Sequence, residues 1–166
     1  MGEGHLRIAR IEMLRGNPSG VRNHLRNVTH VRHESFAEAG KYYARIVDIH
    51  EAENLLMKLK RELQGSEVYE NRALLKLLEG EIELAKGNRE RVFDLLSDAA
   101  RYPWRCLYLQ VQDSLGQAAL ASGHFDVAAD AYKAITKRRG FAFRWQRPDD
   151  WIMAEYGLAT TYEKWM

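Results

Sequence analysis

Small residues that recur in step with turn residues constrain this chain more than any other feature. Taking Ala9, Gly40, Gly80, Gly116 and Gly157 as reference points, the separations are 31, 40, 36 and 41 residues. Seven residues after the first four stand Gly16, Val47, Gly87 and Gly123; twelve after stand Val21, Ala52, Val92 and Ala128; sixteen after stand Leu25, Leu56, Leu96 and Tyr132. A glycine inside a helix costs about 1 kcal/mol relative to alanine. Glycines kept in one register within helical segments therefore imply that a side chain there would hold two helices apart. The second set falls at the turn, where Gly123 supplies a positive φ; the third predicts a close crossing of a second helix, and the fourth side chains that fill the space between helix pairs.

Helical periodicity supports this reading. Ala52, Leu55, Leu56, Leu59 and Leu63 form one stripe, Phe125, Ala128, Tyr132 and Ile135 a second, and Val92, Leu95, Leu96 and Ala99 a third. Strand alternation is nearly absent, and the three prolines, at 18, 103 and 148, fall in breaks between helical runs. The punctuation predicts nine helices, over about 4–16, 19–31, 34–47, 50–64, 67–86, 89–100, 104–122, 125–138 and 149–166. Short links make consecutive helices antiparallel neighbours. Gly65, Gly87, Gly123 and Gly140 follow helices and are expected as left-handed C-terminal residues.

The segment from Gln112 to Ile135, with Leu115, Gly116, Gly123, Phe125, Asp126, Ala128 and Tyr132, resembles the tetratricopeptide repeat, a helix-turn-helix unit of about 34 residues. Other copies are more divergent. That around Gly80 keeps Gly87 but has Arg89 where the family has an aromatic residue; that around Gly40 keeps Tyr43 and Ala52 but lacks the turn glycine. The first copy has Ala9 and Gly16 with Pro18 at the aromatic position, and the last stops after one helix. The resemblance implies an all-α, right-handed superhelix of about four and a half repeats, at about 4–31, 34–64, 67–100, 104–138 and 149–166, forming one domain. The link "RRGFAFRWQRPDDW" and the following helix also look like repeat segments of large bacterial regulatory proteins.

Composition narrows the function. The 166 residues are 46% apolar, enough for a sizeable core, and 25 basic against 23 acidic side chains give no global charge for nucleic acid. Cys106 is the only cysteine, so neither an internal disulfide nor a cysteine-based metal cluster can form within one chain. No apolar run has the length of a membrane span and the first residues lack a secretory pattern, so a cytoplasmic protein is expected. The ending "TTYEKWM", in mid-pattern, suggests a fragment of a longer protein.

The chemical motifs are few. His30, His33 and Glu34 are close in sequence but straddle an expected helix end, which favours a structural role over metal binding. The glycines form no phosphate loop, and Ser114, Ser122 and Cys106 have no context for a catalytic partner. Glu79, Glu81 and Glu83 spread round a helix rather than converge. The stretch Lys137 to Arg147, with Phe141, Phe143 and Trp145, could bind phosphates and stack on bases. With only five basic residues it reads better as a helix end whose aromatics tuck under the next hairpin.

The resemblance further implies a concave groove lined by the first helix of each pair. Carried onto this sequence it names Arg10, Lys41, Arg45, Leu77, Glu81, Asp113, Gln117, Trp151 and Tyr162, with Leu77, Leu84 and Leu120 equally suited to a core role. One end is basic and the middle acidic, matching an extended peptide with a charge gradient. The lysine and asparagines of a carboxylate clamp are missing. Trp151, Ile152, Tyr156, Leu158, Tyr162 and Trp165 give the last helix an apolar face without a second helix to cover it, so a second copy or a further domain is expected there. The expectation is a non-catalytic scaffold without cofactors or metals that binds a protein or peptide, as a module of a regulatory protein. The alternatives are a nucleic-acid-binding repeat using residues 137–147, or a sensor of a small effector with a pocket near Trp151 and Tyr162.

Overall fold

A computed structural model describes residues 2–29, 32–101, 108–140, 142 and 148–166. These form nine α-helices, and no strand occurs among the described residues. The chain divides into two compact units, Met1–Asn88 and Arg89–Met166. Unit 1 holds α1 (Gly2–Leu14), α2 (Pro18–Leu25), α3 (His33–Arg45), α4 (Ile49–Glu62) and α5 (Tyr69–Lys86). Unit 2 holds α6 (Arg89–Ala100), α7 (Tyr108–Ala121), α8 (Phe125–Thr136) and α9 (Pro148–Trp165). None of the described helices is long and apolar enough to cross a membrane.

The turns expected from the register share one geometry. Gly16, Val47, Gly87 and Gly123 all have positive φ, at 67°, 60°, 82° and 77°. In each, the left-handed residue's N–H donates three residues back, as in Gly87 to the Leu84 carbonyl at 3.0 Å. The next N–H donates five back: Asn17 to Glu12, Asp48 to Tyr43, Asn88 to Glu83 and His124 to Ala119, each at 2.9 Å. This paired bonding satisfies two carbonyls that a helix end would otherwise leave open. Val47 occupies the position although it is β-branched, so the turn geometry there prevails over side-chain preference.

Most described helix ends lie within two residues of the expected ones, but the end of α2 and the role of Gly140 differ from expectation. Helix α2 ends at Leu25, well before residue 31. Its last turn tightens as Asn27 N–H bonds His24 and Val28 N–H bonds Leu25, while the Asn27 side chain donates to the Asn23 carbonyl. Asparagines and β-branched residues compete with helical bonding in this way. Gly140 is not left-handed but sits in helical backbone, so it does not play the capping role expected of it.

In unit 1, α3 packs against α1, α2, α4 and α5, and every residue from Ser35 to Ala44 is buried. Ala9, Val21 and Ala52 have no exposed surface. Gly40 faces Leu78 of α5, where a Cβ would come within 2.6 Å of the leucine side chain. The room left by this glycine thus serves the approach of the next pair's first helix. Gly80 is buried as well.

In unit 2, α8 packs against α7 and α9, and α7 also meets α6 and α9. The core gathers Leu109, Ala119, Ala128, Tyr132, Ile135, Ala142 and Ala154. Gly116 and Gly157 both face the Tyr132 ring, where an added Cβ would lie 2.8 Å and 2.5 Å from ring carbons. One aromatic side chain therefore fills the space that two glycines leave.

Candidate functional site

The nine residues named for a groove fall into two sets, one per unit. In unit 1, α3 and α5 are held together by Glu81, whose side chain is 1% exposed. Arg45 donates to both its oxygens, from Nε at 3.0 Å and Nη2 at 2.8 Å, and Lys41 Nζ lies 3.9 Å away. The forked geometry and burial make this a strong ionic contact. Lys41 is buried too, and one turn above Glu81, Leu77 has no exposed surface. Leu77 is a core residue and lines no open surface, which corrects the binding role named for it. Arg10, on α1, is half-buried.

In unit 2, Gln117 Nε2 donates to Asp113 Oδ1 at 3.0 Å along α7. Trp151 Nε1 donates to the Thr136 carbonyl at 3.0 Å, fastening the start of α9 to the end of α8, and the Arg139 guanidinium lies 5.2 Å from its ring centre. Tyr162 is partly open to solvent, stacks on Trp165 at 6.4 Å between centroids and lies under Lys133 Nζ at 5.6 Å. The Tyr162 hydroxyl, first of all through its hydrogen bond, holds the Lys133 ammonium above the usual lysine range.

Ile152, Met153, Tyr156 and Trp165 of α9 are exposed. Their register is informative, because Ile152 and Ala159 stand 41 residues after Val111 and Ala118 of α7. Val111 and Ala118 are 2% and 1% exposed, whereas Ile152 is 56% exposed. Ala159 is exposed as well. The inner face of α9 is satisfied through Ala154, Gly157 and Thr161, all buried, with the Thr161 hydroxyl donating to the Gly157 carbonyl at 2.8 Å.

Among the other motifs, His33 lies 3.4 Å from Glu62. His30 is outside the described residues, as are Cys106, Phe141, Phe143, Arg144, Trp145 and Arg147. No metal-holding group of His, Cys, Asp and Glu occurs among the described residues. Ser114 is buried and donates to the Gln110 carbonyl at 2.9 Å. From the basic stretch, Arg138 rests on the Tyr108 ring at 3.8 Å.

One feature was not foreseen. A cavity of about 430 Å³ opens in unit 1 between α2, α3 and α4, with Arg22, Arg26, Tyr43, Asp48 and Glu51 around it. Burial most of all, then the Glu51 and Asp48 carboxylates, push the Tyr43 phenol above the usual tyrosine range, against the pull of Arg26 and Arg22. In the sequence Tyr43 carried only a repeat role, and the early end of α2, which shapes this opening, had no strong signal. No protein-family model, curated protein or solved structure matches the chain.

Proposed function

We propose that this protein is a non-catalytic helical-repeat scaffold, of the tetratricopeptide type, that binds a protein partner as a module of a larger regulatory protein. Support for the repeat reading comes from four turns with the same hydrogen-bond pair, each seven residues after a small buried residue. Arrays of such pairs present extended surfaces. The observation that carries the binding role is the open face of α9, where Ile152, Tyr156 and Ala159 stand exposed although α7 buries Val111 and Ala118 at the same register. A contiguous exposed apolar face marks an interaction surface. Its occupant is a partner helix that covers this face of α9 as Val111 and Ala118 are covered on α7, through an apolar stripe of its own. Lys41, Arg45 and Glu81, which the sequence placed in a groove, pair with one another and serve the scaffold.

The test is selection of a helical peptide library on the purified chain. Enriched peptides with an i, i+3, i+4, i+7 apolar stripe are expected, with binding abolished by Ile152→Glu and Tyr156→Glu at unchanged helix content. Absence of enrichment over a scrambled library, or binding indifferent to both substitutions, overturns the reading. Sedimentation identifies the case in which the partner helix comes from a second copy of this chain.

A further inference from the structure

The cavity of unit 1 is a built site. Its volume of about 430 Å³ lies in the range of small-molecule pockets, roughly 300–1,000 Å³. Leu25, Phe36 and Leu55 give it an apolar wall. Tyr43, which lines it, is only 5% exposed, yet its hydroxyl hydrogen-bonds to none of the described residues. The hydroxyl is not sealed off from solvent but opens on the cavity, so a ligand atom can take it as a partner, a hydrogen bond worth about 0.5–1.5 kcal/mol net. Among the charged groups, Arg22 Nε is already committed to Asp48 at 2.7 Å. Arg26 and Glu51 form no salt bridge with any described residue.

Three groups therefore face the cavity uncommitted: a hydroxyl, a guanidinium and a carboxylate, beside an apolar wall. Arg26 and Glu51 lie at exposed positions at the cavity rim, so an anion or a cation alone engages one of them, a ligand carrying both charges engages both, and a neutral apolar molecule engages neither and leaves the Tyr43 hydroxyl unpaired. We propose that this cavity binds a free α-amino acid with an apolar side chain. The ligand carboxylate takes the Arg26 guanidinium and the Tyr43 O–H, its ammonium faces Glu51 and Asp48, and its side chain lies against Leu25, Phe36 and Leu55. The site is independent of the scaffold reading, since it lies wholly within unit 1 and involves no residue of α9.

Isothermal titration of the full chain with L-leucine and L-phenylalanine tests the assignment. The comparison ligands are N-acetyl-L-leucine amide, which lacks both charges, and 4-methylvalerate and isoamylamine, which keep one each. Saturable binding of at least one amino acid is expected, with each comparison ligand at least about 10-fold weaker. Tyr43→Phe, which keeps the ring and removes the hydroxyl, is expected to weaken binding by about 10-fold. Arg26→Gln, at an exposed position, gives the same reading if Tyr43→Phe fails to fold. The assignment is overturned by absence of saturable binding up to about 10 mM, by equal binding of the uncharged amide, or by a folded Tyr43→Phe or Arg26→Gln protein that binds as the parent does.

Discussion

Val47 offers a direct measurement of what the repeated turn demands. Its φ of 60° lies in the left-handed region, where the other three turns of the set place glycine. For an L-residue with a Cβ this conformation costs roughly 1–2 kcal/mol, and β-branching removes the rotamer freedom that could relieve it. The side chain is 70% exposed, so Val47→Gly forfeits little buried surface. Against the gain stands the greater freedom of glycine in the unfolded chain, about 0.5–1 kcal/mol. The net expectation is a stabilisation of about 0.5–1 kcal/mol, seen as a rise in Tm of roughly 1–4 °C for a chain of this size. Urea unfolding followed by far-UV circular dichroism should show a higher midpoint with an unchanged slope. Gly87→Val should move the other way by a similar net amount, about 0.5–1 kcal/mol, because it installs at one turn the strain removed at the other. If Val47→Gly lowers the midpoint, the Val47 backbone is not held as described and the common turn geometry fails.

Two further outcomes follow from the packing. Glu81→Ala leaves Arg45 and Lys41 without their shared carboxylate in a buried setting and should cost about 3–5 kcal/mol, whereas Glu53→Ala, which removes the exposed partner of Lys86, should cost less than about 1 kcal/mol; denaturant midpoints compare the two, and equal losses would refute the burial argument. Gly116→Ala drives a methyl to within 2.8 Å of the Tyr132 ring and should cost about 1–3 kcal/mol, a loss that a smaller side chain at 132 partly restores in the double variant; additivity of the two changes would refute the contact.

The fold was legible where several weak signals coincided. Gly16, Gly87 and Gly123 announced their turns by residue type, and Val47 was found only because its distance from Gly40 matched theirs. Val21, Ala52, Val92 and Ala128 stand at the expected crossing positions, Ala9 at the first of the small reference positions, and each is fully buried. The site was less legible for a physical reason. A charged residue at an inward position reads identically whether it meets a ligand or a neighbouring helix, and Glu81 meets Arg45 of another helix, a pairing that no local pattern announces. Likewise Arg22 lies on α2, Tyr43 on α3 and Asp48 in the turn before α4. Their convergence depends on where α2 stops, which is set by tight i to i−3 bonding at Asn27 and Val28 and not by a proline or a glycine.

Tyr132 ties two positions into one structural decision. Because a single ring occupies the notches of both Gly116 and Gly157, bulk added on either side displaces the same plug toward the other, and neither site can be altered as though it were alone. The ring thus works like a key cut on both edges: it admits α7 and α9 only as a matched set, and records in one side chain which hairpin is allowed to follow which.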